Sequence, residues 1–376
     1  MLKTLLITTD FPPNIGGVSE YLSQICARLP SSSISVLAQP EENSEKFDYS
    51  QHYRVYRDNF YFSNRFVWPK WLVLLKKSRK LIREKGINQI LVGQILPVGT
   101  VALMFNLLFS VPYIVSTHAM DITILSNSGR KTRLAKLILK HSKAVITVSE
   151  FTKSRLVELG IPNEKINIIS PGTDLLEHNT IDNQEKMKNK YNLNGKRVLL
   201  TVGRIIERKG HMEVLKALPS VLKVFPDTHY VIISDGPYKS ELEKYVSINS
   251  LKSNVTFTGT ISRDDLPSFY RLSEIFIMPT SMLDNNDVEG FGIVYLEANA
   301  FGKPVIGYDT GGVSDAVVNN ETGILVEPKN PEEIAVSIIS LLKDKDYAQK
   351  LGEQGRTRVE NEFTWEVRAE KLKELL

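Results

Sequence analysis

Short runs of aliphatic and β-branched residues alternate with stretches of helical periodicity along the whole chain, and this alternation limits the fold more than any other feature. Leu5–Asp10, Ile34–Ala38, Ile90–Gly93, Tyr113–His118, Val145–Ser149 and Ile166–Ser170 are predicted as strands of a first series. Val198–Val202, Tyr230–Ser234, Val255–Thr258, Ile275–Met278, Val305–Tyr308 and Ile324–Val326 form a second. The runs are apolar throughout rather than on alternate residues, which is the pattern of strands in parallel sheets covered by helices on both faces. Between the series the chain turns polar from Asp174 to Asn194, and a linker is predicted there. At 376 residues, 42% of them hydrophobic, the chain exceeds what one core organises. Two doubly wound α/β domains are therefore expected, residues 1–178 and 179–361.

Composition narrows the class. Cys26 is the only cysteine and sits within the apolar pattern Tyr21, Leu22, Ile25, Leu29, so a disulfide framework and a cysteine-rich metal site are both ruled out, and a reducing cytoplasm fits best. The apolar part of Met1–Asp10 is too short for a signal-peptide core. The apolar region Ile90–Val115 is broken by Pro97, Gly99, Asn106 and Pro112 into strand, helix and strand, and no transmembrane span is expected. Residues 1–180 carry 22 Lys and Arg against 14 Asp and Glu, whereas the remainder is acidic on balance. A basic half can attract an anionic surface. The segment Lys70–Arg83 combines Trp71 and leucines with a cationic face, as peripheral helices do, and Arg130-Lys131-x-Arg133-x-x-Lys136 forms a second basic cluster. A solvated helix face reads the same way. No aromatic-interleaved basic motif points to nucleic acid.

In doubly wound folds ligands lie beyond the carboxyl ends of strands, and the residues there carry the functional reading. After the strand ending at Gly203 come Arg204, Arg208 and Lys209, then a helix from His211. Arg204 offers a planar fork and Lys209 a point charge, two complementary ways of neutralising a diphosphate without a metal. A basic solvated loop is the alternative. Gly16 and Gly17 follow the first strand at a helix start, where backbone can approach an anion, although glycines are common at such turns.

Asp287–Ala298 is the most informative segment, with Glu289 and Glu297 eight residues apart around Gly290-Phe291-Gly292-Ile293. In a continuous helix the two carboxylates would stand about 12 Å apart along the axis. Paired glycosidase carboxyls stand about 5–5.5 Å or about 6.5–9.5 Å apart, so the spacing better suits the two ends of one elongated ligand. Glu289 would reach a sugar and Glu297 ribose hydroxyls; otherwise Glu297 is an ordinary exposed helix residue and the amides near Phe291 only cap a helix. His118, at a strand end, is a candidate functional histidine. The single Asp-x-Asp match, Asp344-Lys345-Asp346, lies between helical patterns and reads as coincidence. The phosphate-loop, dinucleotide and zinc-protease patterns are absent.

Taken together, Gly16-Gly17, His118, Arg204-x4-Lys209 and Glu289-x7-Glu297 resemble the pattern of the family 4 retaining glycosyltransferases of the GT-B fold. The wording from Asp287 to Ala298, with Ser170-Pro171-Gly172-Thr173-Asp174 and Gly311-Gly312, is similar to the phosphatidyl-myo-inositol mannosyltransferases. The resemblance implies two Rossmann-like domains facing a central cleft, an acceptor-binding first domain and a donor-binding second, with a final helix at about 362–376 packing back on the first. It implies that Arg204 and Lys209 stabilise the departing diphosphate, which Gly16 and Gly17 also face. His118 and Glu289 would hold the donor sugar, Glu297 the ribose, and backbone at Gly259 and Ile261 the base. Retention without an enzymic nucleophile would follow, with no cofactor beyond a nucleotide-diphosphate sugar, GDP-mannose favoured, and a lipid-linked or carbohydrate hydroxyl as acceptor. Action in the cytoplasm, peripheral to the inner face of the membrane, is the matching expectation. Two rival readings are a nucleotide-sugar epimerase, which needs no acceptor, and a non-catalytic sugar-binding protein, for which an export signal would be expected.

Overall fold

The computed structural model describes residues 2–14, 16–61, 69, 71–123, 125, 129–174, 181–284 and 286–376. The chain divides into two units, Met1–Gly172 with Trp365–Leu376, and Thr173–Thr364. The first contains β1 (Thr4–Thr8), β2 (Ile34–Ala38), β3 (Arg54–Arg57), β4 (Gln89–Val92), β5 (Tyr113–Ser116), β6 (Ala144–Thr147) and β7 (Ile166–Ile168), all parallel, in the order β3-β2-β1-β4-β5-β6-β7. The second contains β8 (Arg197–Val202), β9 (Thr228–Ile233), β10 (Val255–Gly259), β11 (Ser273–Ile277), β12 (Val305–Tyr308) and β13 (Gly323–Val326), also parallel, in the order β10-β9-β8-β11-β12-β13.

All the predicted strands are present, and the interior ones are buried on both faces by flanking helices; Leu5, Leu6 and Ile7 of β1 are wholly inaccessible. The strand the apolar pattern does not reveal is β3, Arg-Val-Tyr-Arg, which pairs only with β2 at the sheet edge. An edge strand is half exposed and accepts charge, so it lacks the apolar signature. Each sheet has its own core, built in the first unit around Ile7, Val92, Val115 and Val145 and in the second around Leu199, Ile232, Ile277 and Ile306. The helix His211–Val224 shows how the second is closed: Val214, Leu215, Leu218 and Val221 recur at helical spacing, are all buried, and pack against the helix Pro331–Lys343. Burying each such side chain contributes roughly 1.5–3 kcal/mol.

The polar stretch expected as a linker is not all linker. Residues 175–180 lie outside the described residues, but Ile181–Lys190 is a helix, and it packs on the helix Leu266–Leu272 with Met187 buried. Eight of its ten residues are polar or charged, which is why composition hid it. The last helix, Trp365–Leu375, belongs to the first unit and lies on the helix Gly17–Arg28, with Trp365 buried and its ring 6.2 Å from that of Tyr21. Among the described residues no helix is long and apolar enough to cross a membrane.

Both sheets change winding direction once, between β1 and β4 and between β8 and β11. At such a point the loops leaving the two adjacent strands diverge to opposite faces and leave a crevice at the carboxyl ends. In the second unit the loops concerned are those after β8 and β11.

Candidate active site

The segment after β8 begins at Gly203, makes one 3₁₀ turn over Glu207–Lys209 and enters the helix His211–Val224 through Gly210. Gly210 has φ +73°, and a Cβ there would overlap the carbonyl oxygen of Pro279 in the loop after β11. The same two loops are joined by the Ser281 N–H, which donates to the Arg208 carbonyl oxygen at 2.9 Å. Glu289, further along the second loop, is fixed through its backbone: the Gly312 N–H donates to its carbonyl oxygen at 2.9 Å, and a Cβ on Gly311, φ +57°, would collide with that same oxygen. The Gly311-Gly312 pair thus positions Glu289.

These constraints bring the charges together. Lys209 Nζ donates to Glu289 Oε2 at 2.5 Å, Arg208 Nη1 donates to the same oxygen at 2.8 Å, and Arg208 Nε lies 3.1 Å from Asp287 Oδ1. The side chains of Arg208, Lys209 and Glu289 are only 12%, 15% and 15% exposed, so solvent screens the cluster weakly. Burial by itself pushes the Glu289 carboxyl up, but the charges and hydrogen bonds of Lys209 and Arg208 outweigh it and hold the group at about 2. Arg204, just beyond β8, is exposed. The site therefore presents one exposed guanidinium and a lysine ammonium with only one of its three donors committed to Glu289.

The segment from Glu289 to Glu297 is not one helix. Gly290, Phe291 and Gly292 form a turn, Gly292 takes φ +89° without a side-chain cap, and the helix runs from Ile293 to Ala300, anchored where the Tyr295 hydroxyl donates to the Met278 carbonyl oxygen at the end of β11. Glu289 thus lies ahead of the helix and Glu297 within it. Glu297 is half-buried rather than exposed, and its Oε2 accepts a 2.5 Å hydrogen bond from the hydroxyl of Tyr270, a fully buried residue whose ring stacks on Phe301 at 5.4 Å. Gly259 ends β10 with φ +69°, its carbonyl oxygen accepting from the Ser234 N–H and the Thr258 hydroxyl, and Ile261 follows half-buried.

In the first unit Gly16 precedes the helix Gly17–Arg28 in extended conformation, and a side chain at Gly17 would meet nothing within 4 Å. His118 lies two residues past β5 and leads into the short helix Ala119–Thr123. Its ring meets Tyr21 edge-on at 5.6 Å, and burial lowers its pKa to about 4, so the imidazole is neutral at physiological pH.

The sequence reading gave no role to Arg208, Asp287 or Tyr270. Arg208 and Asp287 stood inside the segments it singled out. The available signal was charge balance, since two cations and two carboxylates that fold together must neutralise one another. Tyr270 had no comparable signal, because its partner lies 27 residues away on another element.

Two family models match the chain: Glycosyltransferase Family 4 over residues 15–176 and Glycosyl transferases group 1 over residues 183–358. The GDP-mannose-dependent alpha-(1-6)-phosphatidylinositol monomannoside mannosyltransferase of Mycobacterium tuberculosis is 30% identical over all of this chain and 98% of its own length. The corresponding monoacylated-substrate enzyme of Corynebacterium glutamicum is 29% identical over 100% and 97%. Among solved structures, Anabaena HepE in complex with UDP superposes with a TM-score of 0.84 over 99% of both chains at 20% identity. Sucrose-phosphate synthase from Thermosynechococcus elongatus does so with a TM-score of 0.79 over 100% of this chain and 98% of that one, at 22% identity. The fold is GT-B, and the chain belongs to the family 4 glycosyltransferases, the family of the GDP-mannose-dependent phosphatidylinositol monomannoside mannosyltransferases.

Proposed function

We propose that this chain transfers mannose from GDP-mannose to a hydroxyl group of a lipid-linked or carbohydrate acceptor, with retention at the anomeric carbon and without a metal ion. The observation that carries this reading is the Arg208–Lys209–Glu289 cluster, locked by glycines at the switch point of the second sheet with Arg204 exposed beside it on the same loop. That the full-length relatives are GDP-mannose-dependent mannosyltransferases favours mannose and guanosine diphosphate.

In this mechanism Arg204 and Lys209 take the negative charge that grows on the diphosphate as the anomeric C–O bond breaks, a preorganised electrostatic contribution of the kind that dominates such catalysis. The backbone from Gly290 to Ile293 approaches the same phosphates. Glu289, held ionised and oriented by Arg208 and Lys209, accepts hydrogen bonds from hydroxyls of the donor sugar, and His118 reaches the sugar near its reacting face. Glu297 accepts from the ribose, while backbone at Gly259 and Ile261 lies against the base. The acceptor oxygen attacks the face from which the diphosphate leaves, and its proton passes to a leaving phosphate oxygen. No enzymic nucleophile is needed, which gives retention.

The Tyr270 hydroxyl fixes the carboxylate of Glu297. Glu297→Ala is expected to raise the donor KM by roughly ten- to a hundredfold and Tyr270→Phe by about tenfold, with kcat affected less in both. Steady-state kinetics with varied GDP-mannose checks this, and an unchanged KM in both variants removes Glu297 from the donor site.

The basic helix Leu72–Lys85, which exposes Lys76, Arg79, Lys80 and Arg83, and the helix Arg130–His141 would dock the first unit on anionic lipid at the inner face of the membrane. Lys70, part of the first basic segment, lies outside the described residues. The reading is tested by incubating the protein with GDP-mannose and phosphatidylinositol monomannoside in excess chelator. An α-linked product is expected; a β-linked product, loss of transfer with the chelator, or conversion of the donor to a stereoisomer without acceptor each overturns it.

A further inference from the structure

Four polar side-chain atoms at and just after the end of β5 are shut away from solvent and have no hydrogen-bond partner among the described residues: Ser116 Oγ, His118 Nε2, Asp121 Oδ2 and Thr123 Oγ1. The Thr117 hydroxyl, in the middle of the group, is by contrast satisfied by the Ile146 carbonyl oxygen at 2.8 Å. Interior polar atoms are almost always paired, and an unmade carboxylate oxygen is the costliest kind to leave. Several of them in one stretch, at the carboxyl end of a central strand, mark a place where the missing partner comes from outside the protein.

The local fold puts two of these groups on one turn. The Asp121 N–H donates to the His118 carbonyl oxygen at 3.0 Å, opening the short helix Ala119–Thr123. Among the described residues no cation is paired with Asp121, whose carboxylate is favoured only by a hydrogen bond from the His118 backbone. The helix Glu150–Glu158 packs against this turn, but its Lys153 and Arg155 are engaged by Glu150 and Glu158, at 3.8 and 2.9 Å. The helix Gly17–Arg28 contributes Tyr21, which faces His118 and spends its hydroxyl on the Ile169 carbonyl oxygen at 3.0 Å.

We propose that Asp121 binds the attacking hydroxyl of the acceptor, its carboxylate accepting a hydrogen bond from that hydroxyl at a subsite shared with His118. The inference rests on the glycosyl-transfer reading, in which His118 lies at the reacting face of the donor sugar. Asp121 shares a turn with that histidine, and a sugar or polyol hydroxyl is the chemistry that satisfies an unpaired carboxylate oxygen and an imidazole nitrogen. Asp121 holds the hydroxyl and gains no proton, which leaves with the diphosphate.

Burial raises the Asp121 carboxyl to about 7, so acceptor binding is sensitive to pH in the neutral range. The ionised form accepts the stronger, charge-assisted hydrogen bond, so the acceptor KM rises as pH falls below about 7.

The test is the acceptor KM, with phosphatidylinositol monomannoside in detergent micelles and saturating GDP-mannose, for wild type and Asp121→Asn. Asn is an uncharged isostere, so a buried site tolerates it. For wild type the KM is expected to be about tenfold higher near pH 5.5 than near pH 8.5; for the variant it is raised about tenfold at pH 8.5 and flat across the range, with a circular dichroism spectrum and thermal melt that match wild type. A variant with wild-type acceptor KM and pH profile overturns the inference, and so does a flat profile in the wild type, whatever the variant's fate. Absence of transfer by the wild type overturns the transferase reading and this inference with it.

Discussion

Lys209→Ala is expected to lower kcat by roughly 10²-fold or more, and Arg204→Ala by a similar factor, as for removal of a donor aimed at developing negative charge. The two losses have different origins. Arg204 is exposed, so its removal takes away a ligand contact and little else. Lys209 is 15% exposed and bonded to Glu289, so its removal also frees that carboxylate and leaves Arg208 as its remaining cation in the cluster. Both variants should keep the fold, because neither side chain belongs to the core of the second unit. Steady-state transfer from GDP-mannose, with circular dichroism to verify folding, measures the effect; near-normal turnover in both folded variants would remove the cations from the mechanism.

Glu289→Gln is expected to damage stability as well as activity. Arg208 and Lys209 are nearly buried, and taking away the charge they share leaves only Asp287 to balance them. Breaking a fully buried pair costs about 3–5 kcal/mol and an exposed one about 0–1 kcal/mol, so about 2–3 kcal/mol at neutral pH is the expected loss. The pH dependence carries a definite sign. Glu289 is held at about 2, below its ordinary 4.5, so its contribution is complete above the ordinary value and is lost as pH falls through the folded one. The difference in Tm between wild type and Glu289→Gln should therefore be constant near neutrality and shrink between about pH 4.5 and pH 2. A difference that persists unchanged in that range would mean that the cluster contributes through packing rather than charge. Activity should fall in parallel, since Gln leaves Lys209 without its orienting anion.

The two-sheet architecture was readable because strands buried on both faces carry a continuous apolar signature, as Leu5–Ile7 and Leu199–Leu200 do. Where burial is one-sided the signature fades, which is why β3 and the helix Ile181–Lys190 needed coordinates. The site was readable as far as position after a strand end implies position at a switch point: Arg204, Lys209 and Glu289 all fall on the two loops that β8 and β11 send out. Which charges pair was not readable. The Lys209–Glu289 contact joins residues 80 apart and depends on Gly210 and Gly311 allowing backbones to meet, a constraint no spacing rule expresses. The estimate of distance from Glu289 to Glu297 assumed one helix, and the Gly290–Gly292 turn replaces that geometry, with Glu289 ahead of the helix and Glu297 within it.

In the proposed mechanism the loops after β8 and β11 grip a diphosphate, and calorimetric titration of GDP and GMP onto wild type and the Arg204→Ala/Lys209→Ala double variant tests that grip directly. With two charge-assisted contacts to the terminal phosphate, GDP should bind wild type at least about tenfold more tightly than GMP, and the double variant should bind the two alike. Equal affinities on wild type, or a preference for GDP that survives in the variant, would contradict it.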